Sequence, residues 1–405
     1  MRILVITNLY PNPYQPNRAT FNRQQVRALA AKHEIEVIAP ILWTDEWSAR
    51  RKTPTRLPPD RRVECDGLPV LHPRYVYPPK IGRRWYGPCF RRCVRAGFQQ
   101  ALRTFRPEMI FAPWVYPDGW AAVKLGHAAG MPVVLKAHGS DIHTWDTYAG
   151  RQDGTMTALR EADGIIAVSQ DLAQRIAALG ADTDRIQVIY DGVDTSRFHA
   201  GSKAAARQKL DLTPDIPLIL FIGNLVQVKG LDVLLRAYAQ LAESRRPFVA
   251  ALIGGGPLNT PLQKLTANLG LSGRVRFLGP RPHDELPDWY RAANVFVLPS
   301  RSEGIPVVLL EAAACGTPFV ASRVGGIPEI ASSADSELVT PGDANELAAA
   351  LARRLDTPAG NRPSSTFSRK HDDAASELSN FFEQVRSRHV SLSSPPATLY
   401  TSQVR

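Results

Sequence analysis

What this chain lacks narrows it before any motif does. No apolar run approaches the roughly 20 residues of a membrane-spanning helix, so such a helix is excluded. Cysteine is scarce. Cys65, Cys89, Cys93 and Cys315 show no metal-ligand spacing, which excludes a zinc ribbon or a disulfide scaffold and suits a reducing cytosol. The opening residues, MRILVITNLY, run straight into a strand pattern, without the segments of a secretory leader. A cytoplasmic protein is expected. Acid is short relative to base, 38 Asp and Glu against 49 Lys and Arg, for a net charge of +11. Between Arg50 and Arg106 there are fifteen Lys/Arg and three Asp/Glu, so one stretch accounts for the whole excess. What remains is globular: 44% apolar and 21% charged over 405 residues, enough for two domains with separate cores.

The most organised stretch is residues 294–330, NVFVLPSRSEGIPVVLLEAAACGTPFVASRVGGIPEI. Val295–Leu298 reads as a buried parallel strand that Pro299 and Ser300 end. Residues 307–315 read as an Ala-rich helix, with Pro306 near its first turn and Gly316 after its end. Residues 318–321 form the next buried strand. In open α/β sheets, ligands sit beyond the carboxyl ends of the strands. A helix N-terminus there offers free N–H groups and partial positive charge, which favour phosphate. Glu303 at that edge would repel phosphate and suits the hydroxyls of a neighbouring ligand group. Glu311 lies at most ~12 Å further along the helix, a distance suited to the other end of a nucleotide sugar. By residue type alone, Glu303 could equally cap the helix dipole and Glu311 be a solvated helix residue.

The combined block, Glu303 and Glu311 in SEGIPVVLLEAAACGTPFVAS followed by GGIPEI, resembles the signature of family 4 glycosyltransferases of the polysaccharide-biosynthesis type, with a glycogen-synthase-like C-terminal domain. The resemblance implies an α/β protein of GT-B architecture, two Rossmann-like doubly wound parallel-sheet domains facing a cleft. It implies a retaining, metal-independent enzyme without a cofactor, moving a sugar from a UDP or GDP donor to a saccharide or lipid-linked acceptor. In that reading Glu303 holds sugar hydroxyls, Glu311 holds the ribose, and the segment Gly304, Ile305, Pro306 and Val307 faces the diphosphate.

The rest of the chain arranges itself around this unit. The first domain is expected over residues 1–195, starting with strand 2–7, and residues 41–80 read as irregular and rich in Pro and Arg. Asp118 reads as the N-cap of the helix that follows. The next strand ends at His138-Gly139-Ser140-Asp141. A loop histidine there could simply be hydrogen-bonded, but HGSD resembles the family loop whose His lies beside the transferred sugar. DGVD at Asp191 resembles the family's NGVD, with Asp for Asn. The second domain, 196–369, opens with strand Leu218–Ile222 and then Gly223-Asn224, with Lys229 just before a helix, a plausible diphosphate cradle. Family members commonly carry Arg where Asn224 stands, leaving the full charge to Lys229. Gly279-Pro280-Arg281 falls where the family places the base. The one Asp-x-Asp, Asp182 with Asp184, precedes a strand and so faces away from the cleft. A helix at about 370–388 is expected to pack back on the first domain, ahead of a disordered tail, 389–405.

Residues 83–106 remain. Arg83, Arg84, Arg91, Arg92, Arg95, Arg103 and Arg106 alternate with Trp85, Tyr86, Phe90 and Phe98. This reads as an amphipathic helix from Pro88, suited either to an anionic membrane surface or to packing on its own domain with a solvated arginine face. Two other readings of the chain are a GT-B nucleotide-sugar epimerase, which would lack the Glu303–Glu311 block, and a basic polyanion binder, which leaves the cleft motifs without a purpose. Nucleic acid is not an expected partner.

Overall fold

The computed structural model describes residues 1–77, 85–146, 149–332, 334–356 and 369–393. Short β-branched runs build two separate sheets. The first has eight strands in the order Ile186–Val188, Gly164–Ala167, Val133–Ala137, Met109–Ala112, Arg2–Ile6, Glu34–Ile38, Leu68–Leu71 and Arg62–Cys65. All neighbours are parallel except the last pair, an antiparallel hairpin. The second has six parallel strands in the order Val275–Gly279, Val249–Ile253, Leu218–Ile222, Val295–Leu298, Phe319–Ser322 and Ser336–Val339. Helices cover both faces, so central strands such as Ile3-Leu4-Val5-Ile6 and Val295–Leu298 are apolar throughout and fully buried. These are two Rossmann-like doubly wound domains. Strand order reverses beside Arg2–Ile6 in one sheet and between Leu218–Ile222 and Val295–Leu298 in the other, and crevices open beyond the carboxyl ends there.

The final helix, His371–Ser393, belongs to the first domain although it follows the second. Its Leu378, Phe381, Phe382 and Val385 join Val5, Phe111 and Ile166 in one apolar cluster, with the Phe111 and Phe382 rings 5.2 Å apart. The helix continues to Ser393, so residues 389–393 are helical rather than the start of a disordered tail. Residues 394–405, 357–368, and Arg83 and Arg84 lie outside the described residues.

Residues 41–80 are more ordered than their Pro and Arg content suggests. Trp43–Lys52 is a helix, and a small parallel pair joins Ile41–Leu42 to Arg74–Tyr75. The organiser is Glu46, buried and hydrogen-bonded by Arg50, Arg61 and Arg74. Burial opposes ionisation, but hydrogen bonds from Arg74 and Arg61 outweigh it and hold the carboxyl down at about 2. The basic helix spans Tyr86–Thr104, and Phe90, Val94 and Phe98 on its apolar face are buried in its own domain. That face is therefore not available to lipid. Only the arginine side meets solvent.

Phe382→Ala should remove a fully buried ring from the returning helix and cost about 3–5 kcal/mol. Urea unfolding followed on the first domain checks this; an unchanged midpoint would show that the helix is not integral to that domain.

Candidate active site

One wall of the site is built where the second sheet's strand order reverses. After Leu218–Ile222 the chain passes Gly223 and Asn224 and makes a single 3-10 turn, Gln227–Lys229. Gly230 then turns at φ 66 against the neighbouring loop, where a Cβ would lie 2.0 Å from the Pro299 carbonyl oxygen. Arg301 locks the same contact, its backbone N–H donating to Val228 O at 2.7 Å and its guanidinium pairing with Asp232. This brings Lys229 against Glu303. The ammonium donates to Glu303 Oε1 at 2.5 Å, and Ser300 Oγ donates to the same oxygen at 2.6 Å. Glu303 makes no cap: the helix Val307–Ala314 starts at Pro306 with no side-chain cap, which leaves first-turn N–H groups facing the cleft. Cys315 closes the helix and Gly316 follows in the left-handed region.

Glu311 is not a solvated helix residue. It is 4% exposed and accepts hydrogen bonds from Tyr290 Oη and shares one with His283 Nε2, each at 2.8 Å. Burial, followed by the adjacent carboxylate, raises the Tyr290 phenol well above its ordinary range, so it stays a donor. Sequence reasoning missed His283 and Tyr290. Each lies more than 20 residues before Glu311, with no spacing to mark the pairing.

The facing wall comes from the first domain. Val133–Ala137 delivers His138 to its carboxyl edge, between the rings of Phe21 (4.8 Å) and Trp114 (6.4 Å, stacked). Asp141 accepts from the N–H groups of His138 and Gly139 and so fixes the loop. Burial, with Lys136 nearby, pushes the His138 imidazole down to about 3. It is neutral at physiological pH, and its Nε2 is buried without a partner among the described residues. Lys136 is itself buried and donates to Asp191 at 2.5 Å. Burial disfavours the Asp191 carboxylate, but the charge of Lys136 outweighs this and lowers it. A buried ammonium requires a counter-charge, which accounts for Asp where the family pattern has Asn.

Asp118 is no helix cap. Its Oδ2 accepts from Thr7 Oγ1 at 2.9 Å and Asn8 N at 2.8 Å, tying together the two loops at the first sheet's strand-order reversal. Gly119 occupies the cap position instead. The Asp182–Asp184 pair stays outside the cleft, with Asp182 capping the turn Thr183–Arg185.

Both walls bound one cleft of about 840 Å³. His138, Gly223, Asn224, Lys229, Ile305, Pro306, Val307 and Glu311 line it, together with Arg18, Arg281 and His283. Glu303 and Gly304 stand behind that lining, the first through Lys229 and the second against the opposite domain. Arg18 and Arg281 mean that Lys229 is not the sole cation in the cleft.

The model for "Glycosyl transferases group 1" matches residues 202–369, and that for "Glycosyltransferase Family 4" matches residues 19–197. A putative teichuronic acid biosynthesis glycosyltransferase, TuaC of Bacillus subtilis, is 31% identical over 87% of this chain and 89% of its own length. The chain belongs to glycosyltransferase family 4. A D-inositol 3-phosphate glycosyltransferase of Catenulispora acidiphila is 32% identical over 76% of this chain and 77% of its own. A second protein of that name from the same organism is 41% identical, over 49% of each chain. Among solved structures, sucrose-phosphate synthase of Thermosynechococcus elongatus overlays with a TM-score of 0.72 at 22% identity, covering 96% of this chain and 98% of the other. HepE of Anabaena, solved with UDP, overlays at 0.67 and 20% identity, covering 97% and 99%. The fold of this glycosyltransferase is GT-B.

One titration in the glycosyltransferase follows from burial. Asp118 is pushed up to about 7 by desolvation, against the hydrogen bonds from Asn8 and Thr7. A folded-state value above the unfolded one stabilises the fold at low pH, and that contribution is lost as pH rises through 7. The melting temperature of the parent minus that of Asp118→Asn should therefore fall by several degrees from roughly pH 5 to pH 8. A difference independent of pH would mean that Asp118 titrates as an ordinary carboxyl.

Proposed function

We propose that this enzyme is a retaining, metal-independent hexosyltransferase. It moves a sugar from a UDP- or GDP-sugar to a saccharide or lipid-linked acceptor, in exopolysaccharide, cell-envelope or glycolipid biosynthesis. It works in the cytoplasm, and at the inner face of the membrane when the acceptor is lipid-linked. The observation that carries the reading is the Lys229–Glu303 pair at the second sheet's strand-order reversal, beside a free helix N-terminus and across from a neutral histidine. Retention and independence of metal come with the Glu303–Glu311 signature.

In this mechanism the donor diphosphate takes Lys229 from Glu303. The ammonium and the first-turn N–H groups of Val307–Ala314 then stabilise the charge that grows on the leaving diphosphate. Glu303, released, accepts hydrogen bonds from the sugar hydroxyls while Ser300 keeps it in place. Glu311, held by His283 and Tyr290, meets the ribose, and the base lies toward Pro280 and Arg281. His138 offers its unpartnered Nε2 to the sugar from the acceptor side. No cofactor takes part. The nucleotide sugar is a substrate.

Two substitutions separate these roles. Glu303→Gln should nearly abolish transfer and leave nucleotide affinity within a few-fold, whereas Lys229→Ala should weaken UDP or GDP binding by roughly 1.5–3 kcal/mol. A panel of UDP- and GDP-sugars in thermal-shift and transfer assays reads both. Normal turnover by Glu303→Gln, or unchanged affinity in Lys229→Ala, would remove that residue from the site.

Activity should also survive saturating EDTA, because protein groups carry the leaving-group charge. Loss on chelation that Mg²⁺ or Mn²⁺ restores would overturn the metal-free mechanism.

A further inference from the structure

Large apolar side chains are exposed at few places among the described residues, and four of them share one region of the first domain. Trp43, Trp47, Val76 and Trp85 are 37%, 54%, 57% and 52% exposed. Trp43 and Trp47 lie one turn apart on the helix Trp43–Lys52 and so point the same way. The Trp43 indole donates to Tyr77 O at 3.3 Å, next to Val76. The Tyr77 ring packs edge-on against Tyr86 at 4.4 Å, and Trp85 precedes Tyr86. The four side chains therefore form one ridge.

The ridge is flanked by positive charge. Arg51 lies over the Trp47 ring at 3.6 Å, and Lys52 follows it on the surface. On Tyr86–Thr104, Arg92 stands seven residues after Trp85, about 10 Å along the same stripe, and is exposed. The nearest buried acid, Glu46, is already outnumbered by three arginines. Indoles beside Arg and Lys suit the boundary of an anionic bilayer, with rings at headgroup depth and cations on phosphate. Position argues for the same partner. The helix Tyr86–Thr104 runs back to strand Met109–Ala112, so its Trp85 end lies at the carboxyl edge of the sheet, where the cleft opens. Asp45 on the Trp43–Lys52 helix pairs at 3.8 Å with Arg18, a lining residue of the cleft.

We propose that this tryptophan–arginine ridge docks the enzyme on an anionic lipid surface, with the mouth of the cleft at the membrane. This differs from an amphipathic helix lying on lipid through Phe90 and Phe98, which the core already holds. It also stands independently of the transfer chemistry.

The test is co-sedimentation of the full chain with phosphatidylglycerol-containing vesicles and with pure phosphatidylcholine vesicles. The parent should bind the anionic vesicles and be left in solution by the neutral ones. Trp43→Ser/Trp47→Ser and, separately, Lys52→Glu/Arg92→Glu should each cut the bound fraction about tenfold with an unchanged melting temperature. Arg91→Ser/Arg95→Ser, on the other flank of the helix, should retain most of it. Equal recovery with both vesicle types, or ridge variants that bind like the parent, would overturn the proposal. So would light scattering that shows a dimer dissolved by the tryptophan substitutions, which would assign the ridge to a second copy of the chain.

Discussion

At the floor of the cleft the main chains of the two domains meet with no side chain between them. A Cβ on Gly139 would lie 2.5 Å from Gly304 N, and one on Gly304 would lie 2.2 Å from His138 O. Two glycines, one from each domain, are thus needed for a single contact. The contact places the histidine loop directly against the Glu303 loop. Glu329 reinforces it from the second domain, its carboxylate accepting from the N–H groups of Gln170 and Asp171 and from Tyr190 Oη. Those N–H groups begin the helix Gln170–Ala178, so the acid also meets a favourable dipole. The alignment of the two walls of the cleft depends on this seam.

The walls so aligned differ in charge. On the second-domain wall, charged groups face the cleft: Lys229, Arg281 and Glu311. On the first-domain wall burial suppresses or pairs most charges, and Arg18 is the cation that lines the cleft. His138 is held neutral, Lys136 and Asp191 cancel, and desolvation raises both Asp118 and Asp141, the latter to about 6. To the cleft this wall presents aromatic surface from Phe21 and Trp114, one oriented imidazole and the Arg18 guanidinium.

How far the sequence alone led can be read from particular residues. Buried parallel strands were legible because both faces are apolar, and Glu303, Lys229 and His138 because each follows such a strand within a few positions. The partners were not legible. Glu303 meets Lys229 across 74 residues, and Asp118 meets Thr7 across 111, so local rules left Glu303 open between ligand and cap and assigned Asp118 to a helix end. Glu311 was indistinguishable from a solvated glutamate until Tyr290 and His283 came to rest against it. Residues 41–80 misled in the opposite sense. Their arginines read as a mark of irregularity, yet three of them converge on Glu46 and order the segment.

The same accounting changes the meaning of the net charge. Arg50, Arg61 and Arg74 are committed to Glu46, and Arg62 pairs with Glu36 at 3.0 Å. These four are structural cations, neutralised where they stand, and contribute little to the field outside. Arg51 and Lys52 lack such a buried acid and are exposed beside Trp47, and Arg92 is exposed two turns along its helix from Trp85. The excess of +11 is therefore neither a diffuse coat nor a uniform belt along the basic stretch. It resolves into an inner set that builds the first domain and an outer, solvated set, of which Arg51, Lys52 and Arg92 share the region of the exposed tryptophans. A polyanion binder would need the charge spread along a groove to track its ligand. Charge concentrated beside protruding aromatics suits a flat anionic boundary instead.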